Sequence, residues 1–193
     1  MNAFAEGLAV EQRGMLILIP FIRLRAHDGQ FIIVNKGTSS IFLQRTVGDV
    51  LLNTSSSTMT SVEIKCEEDA RHGNFFFETW SNKNLNDKNA HASRGSTPGW
   101  MLTLRCDWLM YYFVSTDDLY VMDFFKLKHW MFSHETGRPV ADKYPERLQS
   151  KRRQMNDTWG RCVPICDVSV ALGNSFKLIH PLAFLADNAK FAA

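Results

Sequence analysis

The sequence lacks the features that identify several common classes of protein. Its four cysteines and six histidines do not form the paired spacings of a structural zinc site or a zinc hydrolase. The closest cysteine pair, Cys162 and Cys166, has three intervening residues and no second pair to complete a metal site. We therefore expect reduced and mostly buried thiols.

Other motifs are missing as well. There is no glycine-rich loop that would hold the phosphates of ATP, and no serine or cysteine lies in a recognised nucleophile motif. The longest apolar run, residues 15–22, is interrupted by Pro20 and is shorter than the roughly 18 residues that cross a bilayer. Glu6 and Glu11 occupy the region that is basic in a secretory signal. The sequence thus predicts a soluble, cytoplasmic protein with no membrane partner.

The net charge is low, so overall basicity does not indicate a nucleic-acid partner. The formal value is +2, but positive charge is concentrated between residues 138 and 161, where seven basic residues accompany three acidic ones. Lys151, Arg152 and Arg153 form the densest part, and we predict that they bind nucleic-acid phosphates. A solvated loop or helix face explains the same charges.

The most informative stretch is residues 40–82, whose centre is predicted to be a β-hairpin. Residues 47–53 and 59–65 have the composition of strands, and the polar run 54–58 has that of a turn. Folding the hairpin symmetrically about Ser56 places Asp49 opposite Glu63. Like charges opposed in this way destabilise a sheet, unless a divalent cation lies between them.

Side-chain alternation adds a lysine to this pair of acids. In a strand, residues two positions apart share a face, so Lys65 lies with Glu63 while Val62 and Ile64 point the other way. Two acids and a lysine on one sheet face suit metal-dependent cleavage of a phosphodiester. Taken alone, a Glu-x-Lys pair is also typical of a solvated salt bridge.

This pattern resembles a known nuclease signature. Gly48-Asp49 followed by Glu63-Ile64-Lys65 is similar to the motif of the PD-(D/E)XK superfamily, which has the restriction-endonuclease-like fold and includes Holliday-junction resolvases and phage nucleases. Segments 73–78, 97–100 and 107–112 resemble the phage members, so the likeness covers about residues 40–132. Asp49 follows glycine here, where proline is common in the superfamily.

The resemblance implies an α/β fold with a restriction-endonuclease-like core, in which helices flank a mixed central β-sheet. With 193 residues, of which 45% are hydrophobic, the chain suits a single domain, with a less regular C-terminal extension from about residue 133. The implied function is that of a Mg²⁺-dependent deoxyribonuclease, endonucleolytic and encoded by a phage or mobile element. Its partner would be duplex, branched or single-stranded DNA, and a homodimer is expected by analogy. The alternative is a catalytically inactive member that binds nucleic acid or a protein partner.

The resemblance also assigns roles to the central residues. Asp49 and Glu63 would supply carboxylates to Mg²⁺ or Mn²⁺, with the carbonyl of Ile64 as a further ligand. Lys65 would position the attacking water or help to deprotonate it, and would stabilise charge on the phosphate.

Four further residues are predicted to assist. Glu11 falls within the apolar stripe of an N-terminal helix predicted over residues 3–19. In the superfamily such a helix often adds an acid to the site, so Glu11 either joins the catalytic and metal-binding residues or lies at the stripe's edge and reaches water. Glu78, Asn74 and Gln44 are predicted to support the site.

The remaining pattern predicts alternating strands and helices. Strands are expected at residues 31–34, 41–46, 75–80, 119–124 and 162–170, helices at 100–114 and 125–132, a long polar loop at 81–99 and a turn at 181–185. The aromatic residues of 100–114 are expected to pack on the sheet rather than stack on bases.

Overall fold

The computed structural model of the chain describes residues 3–34, 47–55, 58–70, 72–82, 97–135, 137–149 and 158–189. In these ranges the helices are α1 (Ala3–Arg25), α2 (Trp100–Thr103), α3 (Phe124–Phe132), α4 (Ile165–Leu172) and α5 (Pro181–Ala189). The strands are β1 (Phe31–Ile33), β2 (Val50–Ser55), β3 (Thr58–Glu67), β4 (Asn74–Asn82), β5 (Thr97–Pro98), β6 (Trp108–Phe113), β7 (Asp118–Asp123), β8 (Glu146–Leu148), β9 (Trp159–Pro164) and β10 (Phe176–Ile179).

These strands form two sheets. The larger has six strands in the order β1-β2-β3-β6-β7-β10, and the smaller has four in the order β5-β4-β9-β8. In the larger sheet β3 and β6 run parallel, whereas every other neighbouring pair is antiparallel. The predicted α/β architecture with a mixed central sheet and flanking helices is confirmed. The second sheet was not predicted.

Helices cover one face of the six-stranded sheet. Leu18, Phe21 and Ile22 of α1 are buried against Val62 and Ile64 of β3. The helix α5 completes this layer, since the ring of Phe184 packs edge-on against Phe21 with centroids 5.3 Å apart. Burial of these apolar side chains supplies the main stabilisation of the layer.

The four-stranded sheet covers the other face. Phe75 and Phe77 of β4 are fully buried against Tyr111 of β6, with ring centroids 5.0 Å and 6.4 Å apart respectively. Val163 and Val168, from the region beyond residue 133, belong to the same core. The face of β3 that carries Glu63 and Lys65 therefore looks toward this second layer.

The central hairpin has the predicted register. Val50 pairs with Val62 and Asn53 with Met59, which is the symmetry about Ser56, and the register shifts only between Asn53 and Ser55. Val62 and Ile64 point into the helix-covered core, as the alternation predicts.

Several other predicted elements are confirmed, with shifted bounds. The N-terminal helix continues past Pro20 to Arg25, and the predicted strands 31–34, 75–80 and 119–124 correspond to β1, β4 and β7. The helix predicted at 125–132 is α3. The strand predicted at 41–46 and most of the loop at 81–99 lie outside the described residues.

Three predictions about elements were wrong. The helix predicted at 100–114 is one short helix, α2, followed by strand β6. β6 is buried on both faces from Leu109 to Phe113, and a continuous apolar run fits a buried strand as well as a helix. The strand predicted at 162–170 ends at Pro164, where α4 begins, and the turn at 181–185 is part of α5. Among the described helices, none combines the length and apolar character that crossing a membrane requires.

Candidate active site

Asp49 is held at the start of β2 by three hydrogen bonds. Its backbone N–H donates to the carbonyl of Val62 (2.9 Å), its carbonyl accepts from the N–H of Val34 (2.8 Å), and its Oδ2 accepts from the N–H of Ile64 (2.9 Å). The residue is only 7% exposed. Extending the hairpin register by one residue brings Asp49 to the level of Glu63.

Gly48 explains how the chain reaches this position. Its φ is +79°, and a Cβ placed on it would lie 2.7 Å from the carbonyl oxygen of Val62. Only glycine adopts this conformation without strain. Proline, whose φ is fixed near −65°, does not fit at this position.

Glu63 and Lys65 form an ion pair on the same face of β3. The ammonium Nζ lies 2.5 Å from Glu63 Oε1, and the two side chains are 29% (Lys65) and 7% (Glu63) exposed. Val62 and Ile64, the alternate residues, lie in the opposite core. The predicted sharing of a face by Glu63 and Lys65 is confirmed.

Three carboxylates act on Lys65. Burial alone would lower the pKa of its ammonium, but the negative charges of Glu63 and Asp49, the hydrogen bond to Glu63 and the charge of Glu78 together raise the pKa above its ordinary value. Lys65 is therefore protonated at neutral pH. The negative charges of Asp49, Glu63 and Glu78 thus all favour the protonated ammonium, and Glu63 contacts it directly.

Glu78, whose charge acts on Lys65 from further away, belongs to the second sheet. It lies on β4, its Oε1 accepts a hydrogen bond from the hydroxyl of Ser81 (2.5 Å), and Gly99 packs directly against it. A Cβ on Gly99 would lie 2.6 Å from the carbonyl oxygen of Glu78 and 2.7 Å from its Cγ. The next residue, Trp100, places its ring centroid 5.2 Å from Lys65 Nζ.

Cys106 lies next to the site but is not reactive. Burial, and after it the negative charge of Glu63, raises the pKa of the Cys106 thiol to about 12. Because the thiolate is the nucleophilic form, this cysteine stays inert. All four cysteines are free thiols, as expected, but Cys166 is exposed and only Cys106 is fully buried.

Glu11 is not brought to the cluster, which corrects the expectation that it joins the catalytic and metal-binding residues. It lies one helical turn before Gly14, and a Cβ on Gly14 would be 2.4 Å from Cys66 Sγ. Cys66 packs with Ile64 in the helix-covered core. The helix α1 thus covers the sheet face opposite to Glu63 and Lys65.

The other predicted residues have different outcomes. Asn74 stands at the beginning of β4, opposite Pro164, four residues or about 13 Å along the strand from Glu78, so it does not join the cluster. Gln44 and the basic run 151–153 lie outside the described residues, and their predicted roles remain predictions. The N–H of Ile64 orients Asp49, while its carbonyl remains a predicted ligand.

Arg161, near the basic run, has a structural role. Its Nη1 donates to the carbonyls of Ala141 and Tyr144 (2.5 Å each), and its Nη2 lies 3.6 Å from Glu146 Oε1. This guanidinium ties β9 to the segment before β8. Arg138, Lys143 and Arg147 are exposed and available to a charged partner.

Asp49 and Glu63 suit a Mg²⁺ or Mn²⁺ site in which the protein supplies only one or two carboxylates. Among the described residues, no three His, Cys, Asp or Glu side chains converge as a ready-made metal site. Mg²⁺ is commonly held by only one or two carboxylates, with waters and substrate phosphates completing the shell. The two hard carboxylates present match that kind of site.

No known protein family, curated protein or solved structure matches the chain. The geometry therefore carries the functional interpretation. The sequence did not predict that Trp100 contacts Lys65 or that Gly48 and Gly99 allow close packing at the site. The only signal was that these glycines directly precede Asp49 and Trp100.

Proposed function

We propose that the protein is a metal-dependent nuclease that hydrolyses phosphodiester bonds in DNA. The observation that carries the proposal is the Glu63–Lys65 pair, 2.5 Å apart on one strand face, beside the oriented carboxylate of Asp49. Burying the carboxylates of Asp49 and Glu63 beside a partly buried ammonium is costly, and a cluster built only for stability would use apolar side chains. The resemblance to the PD-(D/E)XK superfamily, including its restriction-endonuclease-like fold, is part of this proposal.

In this function Asp49 and Glu63 would hold Mg²⁺ or Mn²⁺. When bound, such an ion lowers the pKa of a coordinated water and balances charge on the leaving oxygen. The backbone N–H of Ile64 keeps the Asp49 carboxylate in a fixed orientation. Positioning of this kind matters because small displacements of catalytic groups cost large factors in rate.

Lys65 would act as a hydrogen-bond donor and a positive charge. Because the surrounding carboxylates raise its pKa, it orients water or a phosphate oxygen and stabilises developing negative charge. Proton abstraction by Lys65, which the sequence left open, is not favoured by this environment. Glu78, held by Ser81, supports the position of the ammonium.

An exposed basic residue on the second sheet, Arg147, supports DNA as the substrate. Arg147 follows Glu146, whose carboxylate accepts a hydrogen bond from Thr79 (2.8 Å), the residue after Glu78. Positive charge is therefore carried on a strand that contacts the site-bearing part of β4. Such charges attract the phosphate backbone.

A cleavage assay with matched variants tests the proposal. Supercoiled plasmid, a four-way junction and single-stranded DNA are incubated with wild-type protein in Mg²⁺, Mn²⁺ or EDTA. We expect cleavage in metal only, and a loss of about 100-fold or more in Glu63→Gln and Lys65→Met. Glu67→Gln, two residues further along the same face of β3, and Lys177→Met, on exposed β10, serve as controls that retain activity.

The same assay separates the alternative function. A catalytically inactive binding protein would retain DNA in a mobility-shift gel and cleave none of the three substrates in either metal. Cleavage that persists at the wild-type rate in both Glu63→Gln and Lys65→Met would show that the site lies elsewhere.

A further inference from the structure

We propose that Trp100 is a positioning residue for Lys65, holding the ammonium group beside Glu63. The ring centroid lies 5.2 Å from Lys65 Nζ, within the roughly 6 Å over which an indole attracts a cation. The catalytic consequence of this contact rests on the proposed nuclease function. The contact itself does not.

Lys65 needs such a contact because a lysine side chain is flexible. Four methylene groups carry the ammonium, and it has no planar geometry to fix its direction. Glu63 restrains the ammonium from one side at 2.5 Å, and the indole of Trp100 restrains it from another. Together Glu63 and Trp100 fix the position of the Lys65 ammonium relative to Asp49 and Glu63, the two proposed metal ligands.

The ring of Trp100 is itself held in place by the core. It packs edge-on against Phe77, with centroids 6.1 Å apart and planes at 85°, and lies 6.3 Å from the ring of Phe124. Phe77 and Phe124 are fully buried. The buried core therefore restrains the Trp100 ring, and the ring in turn restrains Lys65 at the edge of the core.

Gly99 fixes the position of the Trp100 backbone relative to β4. Its N–H donates to the carbonyl of Thr79 (2.8 Å), and its missing side chain lets the chain press against Glu78. The corner Gly99-Trp100 thus touches Glu78 on β4 and Lys65 on β3 at once. This places the indole over the ammonium by backbone contacts rather than by a mobile loop.

The test replaces the ring and measures both the lysine and catalysis. Trp100→Leu removes the aromatic face but leaves an apolar side chain, whereas Trp100→Phe keeps a weaker ring. Trp130→Leu is the matched control, since Trp130 also packs at the edge of this core, 6.4 Å from Tyr144. The ε-methylene NMR signal of Lys65, assigned by its loss in Lys65→Arg, is followed in metal-free protein.

We expect the ring current to shift the Lys65 ε-methylene protons upfield in the wild-type protein. Trp100→Leu should move them to the position of a free lysine, Trp100→Phe should give an intermediate value, and Trp130→Leu should leave them unchanged. Unchanged Lys65 signals in Trp100→Leu, or in Trp100→Phe if the leucine variant does not fold, would overturn the proposal.

Cleavage kinetics supply the second readout. Loss of the cation–π contact should lower kcat by about tenfold in Trp100→Leu and by about threefold in Trp100→Phe, with KM unchanged. Equal kcat in wild type and Trp100→Leu would overturn the positioning role. If the wild-type protein cleaves no DNA, the nuclease proposal fails, and the NMR signal alone decides whether Trp100 holds Lys65.

Discussion

Lys65 Nζ lies 2.5 Å from Glu63 Oε1, two positions back along β3, where the glutamate side chain is only 7% exposed. Removing one partner of a buried ion pair is costly, because the other charge stays in a poorly solvated place. Replacing both partners removes that penalty. The pair therefore makes a stability prediction that does not depend on catalysis.

Lys65→Met should destabilise the protein by about 2–4 kcal/mol in EDTA, because the carboxylate of Glu63 loses its cation. Glu63→Gln should cost less, since Lys65 has partial access to water and two further carboxylates nearby. The double variant should recover about 1–2 kcal/mol relative to the sum of the single changes. Urea unfolding measures the free energy of unfolding of the wild type, the two single variants and the double variant. If the two single changes simply add up in the double variant, Glu63 and Lys65 are not energetically coupled.

Gly48→Ala should destabilise the protein by about 1–3 kcal/mol. The φ of +79° and the approach of the carbonyl oxygen of Val62 leave no room for a Cβ. Gly7→Ala is the control, because Gly7 lies in α1 and a Cβ added there would meet no heavy atom within 4 Å. That change should stabilise the helix by about 0.5–1 kcal/mol. Changes of the same sign in thermal unfolding would contradict this account.

The half-buried carboxylate of Glu67 should make stability depend on pH. Burial raises its pKa above 4.5, while the hydrogen bond from the Tyr111 hydroxyl lowers it in part. Because its pKa is raised in the folded state, Glu67 binds a proton more tightly in the folded than in the unfolded protein. The resulting contribution to the free energy of unfolding is complete below about pH 4.5 and is lost as pH rises through the folded-state pKa. The Glu67→Gln variant should not show this pH-dependent loss of stability, so its stability relative to wild type should increase as pH rises to 7.

Tyr111→Phe gives the opposite test of the same group. Without the hydroxyl, the pKa of Glu67 should rise further and the loss of stability toward neutral pH should become larger. Unfolding free energies between pH 4 and pH 8 compare the three proteins. If Glu67→Gln and Tyr111→Phe alter the pH dependence in the same direction, the assignment to Glu67 is wrong.

The basic run near the C-terminal region makes a prediction about DNA affinity. Replacing Lys151, Arg152 and Arg153 by alanine should weaken DNA binding and reduce the slope of log K against log salt concentration by up to about 2.7. Fluorescence anisotropy across a range of salt concentrations measures the slope. Lys177→Ala, which removes an exposed lysine of β10, should keep the wild-type slope. An unchanged slope in the triple variant would show that the run does not contact phosphates.

The hairpin could be predicted from sequence because its information is local. The polar turn and the alternation of apolar and charged residues around Glu63 determine the register. A slip of one residue would expose Val62 and Ile64 to solvent. The same alternation places Lys65 with Glu63. These two facts account for the core of the candidate site.

The remaining parts depend on contacts between distant segments. Residues such as Tyr111 are buried on both sides, which removes the period-2 pattern and makes β6 resemble a helix. Glu11 could not be assigned to a sheet face from helical periodicity, because the periodicity gives a buried stripe and not the layer against which it packs. The contact of Trp100 with Lys65 likewise requires the second sheet, which no local pattern indicates.

Direct measurement of Mn²⁺ binding tests the central claim that Asp49 and Glu63 share one cation. Isothermal titration in the presence of a non-cleavable DNA analogue should give one class of sites in the wild-type protein and in Glu67→Gln. Asp49→Asn and Glu63→Gln should each weaken Mn²⁺ binding by about tenfold or more, because each removes one of two carboxylate ligands. Binding of Mn²⁺ with wild-type affinity to the double variant Asp49→Asn/Glu63→Gln would contradict the account.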